Sequence, residues 1–349
     1  MGRGIDTSYP PLETRYAHLL QDQHLTSIPG EEYREEDENC GPPLLDLQLL
    51  RSPQSSSQCA QNIIKACSEW GIFQAINHGV SLDLIQQMHT QTNTLFSLPF
   101  EVKKNTLSRE MFPYMWGTPI GVEVKNCNWM ESFLISPHSY NFQAAASFDG
   151  IQPTDLSLLS LTLQEYGRAM SKLGCELLGV LSSEMGLSPS YYSDCFSTAD
   201  SFIKLNRYLT CTRPEAVYGL EPHTDSGLLT IIHQDQVGGL EILREGNWIG
   251  IKPRADALVI NVGDLLQAWS NDVCKSVEHR VFVNCNEERV SLAYFLNPFD
   301  DTYVLSPNQS GCHYRGFTTK EFRAQVKEDV KLTGSKIGLP HFRLDNVLN

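Results

Sequence analysis

Two histidines and an aspartate are the residues of this chain whose types and spacing most clearly indicate chemistry. His223 and Asp225 stand two positions apart in a His-Thr-Asp run, and His279 follows much later in the chain. Two imidazoles and one carboxylate form a facial triad, the ligand set that leaves coordination positions on Fe(II) open. A Zn(II) site is an alternative that these three residue types alone do not exclude. The pattern predicts a metal centre in which all three residues are catalytic.

Arg289 and Ser291 suggest that a second, acidic reactant binds beside this metal. They also stand two positions apart on a β-prone run, so both side chains face the same side of a strand. A buried arginine keeps its proton and needs an anion, and a ligand carboxylate suits its planar fork. The alternative is an internal salt bridge of Arg289. Tyr208 and Asn206 share the same spacing on another run, and the Tyr208 phenol could donate to the same carboxylate.

The elements that must position these residues read as a β structure. After residue 201, short β-prone runs alternate with glycine-containing turns, a pattern typical of a sandwich or a closed double-sheet jelly roll. His223 and Asp225 then belong to one strand end and His279 to another. The predicted fold class is mainly β with α, with a double-stranded β-helix (jelly-roll) core, a helical N-terminal region and a long spine helix.

Five regions are predicted along the chain. Leucines and aromatic residues recur at helical spacing from Leu158 to Met185, which predicts the spine helix, and the run from Thr318 to Thr333 predicts a C-terminal helix. The predicted regions are a loosely ordered acidic leader at 1–42, a strand-and-helix region at 43–155, the spine helix and its connection at 156–200, the jelly-roll core at 201–305, and a helical segment at 306–349.

Composition narrows the set of partners. The formal net charge of −14 argues against nucleic acid and anionic membrane surfaces, because both repel an acidic protein. No signal peptide or membrane span is predicted, so we expect a cytoplasmic protein, with the nucleus as a further location. The 10 cysteines contain no Cys-x-x-Cys pair and are expected to be reduced thiols. The expected partner is a small molecule, and the sequence does not indicate an oligomeric state.

These motifs together resemble the Fe(II)- and 2-oxoglutarate-dependent dioxygenases of plants, over about residues 43 to 340. Within that family they look most like gibberellin 2-oxidases, particularly the type that acts on C20 gibberellins. The stretches that carry the resemblance are SEWGIFQAINHGV (68–80), LNRYLTC (205–211), PHTDSGLLTIIHQDQVGGLEIL (222–243), DALVINVGDLLQAWSNDVCKSVEHRV (256–281) and RVSLAYFLNP (289–298).

The resemblance implies a role for each of these residues. The triad would hold Fe(II), Arg289 and Ser291 would grip the distal carboxylate of 2-oxoglutarate, and Tyr208 would add a hydrogen bond. Asn206 falls where the family often keeps an asparagine near this cosubstrate. O2 would be the other reactant, with ascorbate as reductant, and succinate and CO2 would be released. Leu209 stands where relatives usually have proline. Four residues are expected to form the substrate wall by family position: Trp116, Phe133, Leu134 and Phe295.

The resemblance implies hydroxylation of a gibberellin at carbon 2, which deactivates the hormone. An alternative is a 2-oxoglutarate oxygenase that acts on another gibberellin position or on another plant terpenoid or flavonoid, because a fold does not fix a substrate. A catalytically silent jelly-roll binding protein is a remote alternative, and a zinc hydrolase or isomerase would leave Arg289 and Ser291 without a role.

Overall fold

The computed structural model describes residues 7–21, 41–106, 113–118, 127–137, 153–307 and 311–344. Its strands, in chain order, are β1 Leu44–Asp46, β2 Ile72–Ile76, β3 Tyr114–Trp116, β4 Met130–Ile135, β5 Phe196–Tyr208, β6 Leu220–His223, β7 Leu229–Gln234, β8 Leu240–Arg244, β9 Asn247–Gly250, β10 Leu258–Val262, β11 His279–Val281, β12 Arg289–Pro298, β13 Tyr303–Val304 and β14 Phe317–Thr318. Its α-helices are α1 Leu12–Arg15, α2 Ala17–Gln21, α3 Ser56–Glu69, α4 Leu82–Phe96, α5 Phe100–Thr106, α6 Pro153–Glu184, α7 Asp264–Trp269 and α8 Thr319–Thr333. Short 3-10 turns lie at Leu47–Arg51, Ser193–Cys195, Pro214–Ala216 and Leu339–Phe342.

Two sheets form the centre of the fold. Eight strands make a large mixed sheet in the order β1-β2-β10-β7-β12-β5-β4-β3, and four make a smaller sheet in the order β6-β11-β8-β9. An apolar cluster joins them, with Ile232 and Val259 from the large sheet beside Ile242 and Val281 from the small one. Apolar side chains on the facing surfaces of two sheets are what a jelly roll requires. The predicted fold class is therefore confirmed.

Helix α6 covers the other face of the large sheet. Its apolar stripe, which includes Leu173, packs against Leu205 of β5 and Leu292 of β12 in one buried core. Gly174 permits this close approach, because a Cβ atom there would lie 1.9 Å from Leu296 Cδ2. The spine helix was thus predicted correctly in type and place, although it begins earlier than Leu158. Because strand residues alternate, the neighbours of Leu205 point away from the helix, towards the space between the sheets.

The predicted leader differs from the structure in part. Residues 7–21 are ordered, with Leu12 and Tyr16 each 1% exposed in an apolar cluster that also contains Leu209 and Trp129. Tyr16 accepts a hydrogen bond from the backbone N–H of Thr118 through its hydroxyl, at 2.6 Å. The prediction of a loosely ordered leader is therefore wrong for this part, because two apolar side chains one helical turn apart find a docking surface that the local composition does not reveal. The acidic run at 31–38 lies outside the described residues.

Among the described residues, no helix is both long and apolar enough to cross a membrane.

A buried charge cluster joins the N-terminal helices to the large sheet. Lys103 of α5 donates to Glu131 of β4 at 2.6 Å and to the carbonyl oxygens of Ser8 and Phe96 at 2.6 and 3.0 Å. Arg207 of β5 donates to the other oxygen of Glu131 at 3.1 Å. The side chains of Lys103 and Glu131 are 0% exposed. Buried charges at this depth persist only when they are paired and hydrogen-bonded, so the cluster fixes how these elements meet.

We predict that Lys103→Met lowers the free energy of unfolding by about 3 kcal/mol, because it removes one partner of a buried ion pair. The measurement is urea denaturation followed by far-UV circular dichroism. Lys104→Met is the matched control on the same helix, with an exposed side chain and an expected loss of about 1 kcal/mol or less. Equal losses in the two variants would contradict the structural role of the cluster.

Candidate active site

Cross-strand pairing brings the two predicted histidine ligands together. His223 on β6 and His279 on β11 are direct partners in the antiparallel register, and their ring centroids lie 4.3 Å apart. Asp225 lies two residues after the end of β6, and its carboxylate points towards the two histidine rings. Its Oδ1 lies 3.9 Å from His223 Nε2 and 3.7 Å from His279 Nε2. One ligand atom from each residue lies within 4.8 Å of the other two. The structure thus gathers the three residues at one point, as the sequence predicted.

The backbone selects which imidazole nitrogen faces this point. His223 Nδ1 lies 2.7 Å from the carbonyl oxygen of Glu221, and His279 Nδ1 lies 3.2 Å from that of Val277. A carbonyl oxygen can only accept, so each Nδ1 carries the proton and donates it. Each Nε2 then keeps its lone pair free towards Asp225. Metal-binding histidines generally have this arrangement, in which the second ring nitrogen is fixed by a backbone or carboxylate acceptor.

The protonation states also suit a metal. Burial and the neighbouring ring of His279 lower the pKa of His223 to about 3, so this imidazole is neutral near pH 7. Although burial opposes ionisation of Asp225, the adjacent His279 and His223 hold the pKa of its carboxyl below the usual value. A neutral imidazole at His223 and a carboxylate at Asp225 can act as ligands without first losing a proton.

Residues that the sequence interpretation missed support Asp225. Asn261 of β10 donates to the second carboxylate oxygen of Asp225 at 3.4 Å, and the backbone N–H of Asp264 donates to its carbonyl oxygen at 2.8 Å. Lys336, after helix α8, donates to the carbonyl oxygen of Thr224 and to Asp264 Oδ2, each at 2.6 Å. A sequence signal existed only for Asn261, the one polar side chain in the apolar β10 run.

The residues predicted to bind 2-oxoglutarate form a second cluster on β5 and β12. Arg289 is the register partner of Tyr208, and Ser291 is the partner of Asn206. The guanidinium lies over the Tyr208 ring at 4.9 Å, and Asn206 Nδ2 donates to Ser291 Oγ at 3.3 Å. All four side chains are buried. Because they occupy alternate positions on paired strands, they share one face, which is the face that lines the cavity.

Arg289 carries spare donors. Its Nη2 donates to Gln234 Oε1 at 3.0 Å, but its buried Nε and Nη1 have no hydrogen-bond partner, and the described part of the chain offers it no ion pair. The alternative of an internal salt bridge therefore fails for these residues. An unpaired buried guanidinium is costly unless a ligand anion completes it, and a carboxylate fits its fork. The donors present thus fit the distal carboxylate of 2-oxoglutarate, and a zinc hydrolase would leave them unused.

A cavity of about 560 Å³ connects the two clusters and continues beyond them. Its volume lies within the range of small-molecule sites. Leu134 and Phe295 line it, as predicted, together with Met115 and Phe202. The rings of Phe202 and Phe295 stack with their centroids 4.6 Å apart. The cavity therefore has a polar end that holds the triad and Arg289, and a more apolar end lined by Leu134, Phe202 and Phe295.

Two predicted wall residues are corrected. Phe133 is 0% exposed and packs against Phe96 and Tyr114 in the core, and Trp116 packs against Phe100 and under the guanidinium of Arg15. The physical reason is strand alternation. Phe133 and Leu134 are neighbours on β4, so only one of them can face the cavity, and on β3 the cavity-facing residue is Met115.

Comparison with family models agrees with this geometry. The model of the 2OG-Fe(II) oxygenase superfamily matches residues 199–298, and the model described as the N-terminal region of non-haem dioxygenases in morphine synthesis matches residues 42–152. The first range contains the triad and the 2-oxoglutarate cluster. The second contains strands β1 to β4 and helices α3 to α5, and two of its residues, Met115 and Leu134, line the cavity.

Individual relatives extend the match over most of the chain. Gibberellin 2-beta-dioxygenase 8 of Arabidopsis thaliana is 38% identical over 86% of this chain and 86% of its own length. Gibberellin 2-beta-dioxygenase 5 of Oryza sativa subsp. japonica is 38% identical over 96% of this chain and 97% of its own length.

Among solved structures, JOX2 in complex with 2OG, Fe and JA superposes with a TM-score of 0.71 at 31% identity, covering 84% of this chain and 86% of that one. The dioxygenase for auxin oxidation of rice gives a TM-score of 0.71 at 28% identity, covering 87% and 100%. Fold, ligand-forming residues and relatives lead to one conclusion: this chain is a 2-oxoglutarate-dependent dioxygenase that uses Fe(II), and it belongs to the 2OG-Fe(II) oxygenase superfamily.

Proposed function

We propose that this enzyme hydroxylates a gibberellin at the 2β position, with conversion of 2-oxoglutarate and O2 to succinate and CO2. One observation carries the choice of substrate: the relatives named gibberellin 2-beta-dioxygenase are 38% to 39% identical to it over 86% to 96% of the chain. The apolar end of the cavity, with Leu134, Phe202 and Phe295, suits a compact hydrocarbon skeleton. The product is a more polar molecule, and in this proposal the reaction deactivates a hormone.

Different residues of the chain would bind the metal, bind the cosubstrate and orient the substrate. His223, Asp225 and His279 would hold Fe(II), and the guanidinium of Arg289, with Ser291 and Tyr208, would receive the distal carboxylate of 2-oxoglutarate. Fe(II) and 2-oxoglutarate, when bound, supply the oxidising power needed to break an unactivated C–H bond. The protein aims that bond, because the stacked rings of Phe202 and Phe295 limit how the skeleton can turn.

Cosubstrate binding follows from the unpaired donors of Arg289. The hydrogen bond from Arg289 Nη2 to Gln234 holds the guanidinium in place, and Nε and Nη1 remain available as donors to a ligand carboxylate. A guanidinium fixed before the ligand arrives loses little side-chain entropy on binding. The cosubstrate is therefore held in one orientation beside the triad.

The direct test of the proposal is turnover with defined gibberellins. Purified protein with Fe(II), ascorbate and 2-oxoglutarate should form succinate and a gibberellin product one oxygen heavier, with the hydroxyl assigned to carbon 2 by NMR. Asp225→Ala should abolish both products and Mn(II) binding while leaving the melting temperature similar, because a triad ligand is lost. The exposed Asp301→Ala is the matched control. Succinate without any hydroxylated gibberellin would contradict the substrate and leave the enzyme class intact.

We predict that Arg289→Lys raises the KM for 2-oxoglutarate roughly 10- to 100-fold, because a lysine cannot form the bidentate pair, and such charged bonds contribute about 1.5–3 kcal/mol. The KM for the gibberellin should change by less than about threefold at saturating cosubstrate. Arg254→Lys, at an exposed arginine paired with Asp256, is the control. An unchanged KM for 2-oxoglutarate in Arg289→Lys would argue against this role.

Phe295→Ala should instead affect the KM for the gibberellin more than the KM for 2-oxoglutarate. Removal of one ring of the stacked pair should raise the KM for the gibberellin about 10-fold or more, because apolar contacts of this size contribute about 1–3 kcal/mol to discrimination. The KM for 2-oxoglutarate should stay within about twofold. Phe299→Ala, at a ring that is 45% exposed, is the matched control. Equal changes in both KM values would refute Phe295 as a wall of the substrate space.

A further inference from the structure

Lys204 places an ammonium group in the cavity between the metal triad and the apolar end. It lies on β5 two residues before Asn206, so its side chain emerges on the same face as the 2-oxoglutarate cluster. Its register partners on the adjacent strands are Leu134 of β4 and Ala293 of β12, and all three line the cavity. The small side chain of Ala293 leaves space for the long side chain beside it.

No anion of the described residues pairs with Lys204. The two other cations at the substrate end have partners: Lys336 donates to Asp264, and Arg323 pairs with Asp300. Lys204 forms neither a hydrogen bond nor an ion pair within the described part of the chain. Burial lowers the pKa of its ammonium group and the charge of Asp225 opposes this, but Asp225 is also the carboxylate positioned to ligate the metal. With the metal bound, Lys204 faces the cavity without a counter-ion of its own.

This ammonium group cannot replace Arg289 at the distal carboxylate of 2-oxoglutarate. Arg289 is paired with Tyr208, four residues along β5 from Lys204, which separates the two positions by roughly 13 Å at the rise of an extended strand. Phe202 and its stacked partner Phe295 lie two residues from Lys204 on the side away from Tyr208. The cation is thus at the boundary between the metal and the apolar wall, where a substrate must lie.

We propose that Lys204 binds a carboxylate of the substrate and so makes the enzyme specific for apolar acids rather than their neutral analogues. The inference rests on the proposed function, since gibberellins are diterpenoid carboxylic acids, and it names the residue that recognises the acid. A half-buried cation that faces an apolar space without a partner ion favours an anionic occupant, because a carboxylate restores the interactions that the ammonium group lost with water. Lys204 therefore both selects the substrate and sets which part of its skeleton lies near the metal.

The experiment compares a gibberellin with its fully esterified methyl ester in three variants. Lys204→Met keeps the length and removes the charge, Lys204→Arg keeps the charge, and Lys172→Met on the exposed side of α6 is the matched control. Lys204→Met should raise the KM for the acid about 10- to 100-fold, with little change in the KM for the ester or for 2-oxoglutarate. Lys204→Arg should keep at least a partial preference for the acid. An unchanged acid preference in Lys204→Met overturns the proposal.

A binding measurement separates this inference from the proposed function. Protein loaded with Mn(II) and 2-oxoglutarate without O2 is titrated with gibberellin acid, its ester, and an unrelated diterpenoid acid, abietic acid, and binding is followed by calorimetry. Acid binding that depends on Lys204, without any hydroxylation of gibberellins, would support the inference and refute the proposed function. Hydroxylation of gibberellin with equal binding of acid and ester in the wild-type and Lys204→Met proteins would refute the inference alone.

Discussion

The register of the paired strands is the constraint on which the site depends. His223 faces His279 across β6 and β11, and Arg289 faces Tyr208 across β12 and β5. On each of these strands the functional side chains occupy alternate positions. A slip of one residue in the strand pairing would therefore move all of them to the opposite face of the sheet. The close packing of helix α6 at Gly174 helps to fix the position of β12, because Leu296 fills the space where a side chain would be. Packing on the far side of the large sheet thus supports the strand that carries Arg289 and Ser291.

A second constraint is the unpaired positive charge in the cavity. Burying the guanidinium of Arg289 with two unused donors lowers the stability of the protein without cosubstrate, and the same donors favour a dicarboxylate when it arrives. Stability and cosubstrate binding are therefore linked: the folded enzyme gains stability when 2-oxoglutarate completes the site. Gln234 supports this arrangement, because its side-chain oxygen accepts from Nη2 of Arg289 while Nε and Nη1 stay without a partner.

Much of this site could be predicted from the sequence, because its chemistry depends on residue types at short, regular spacings. The triad, Arg289, Ser291, Tyr208 and Asn206 were all inferred in this way, and the jelly roll followed from short strands between turns. Long-range placement could not be predicted. Family position places Phe133 in the wall. The i+2 rule identifies which residues of a strand share a face but not which face meets the cavity, so the burial of Phe133 in the core could not be predicted. Lys336 carries no local signal, since its role depends on elements far apart in the chain.

The tie between Lys336 and the loop of Thr224 has a consequence for the order in which the enzyme matures. Lys336 leaves the ribosome after the strands that carry the three ligands, and it binds the backbone of Thr224 directly beside Asp225. Until that late segment has docked, the loop beside Asp225 lacks one of its fixed points. The metal-binding end of β6 is therefore complete only once nearly the whole chain has folded.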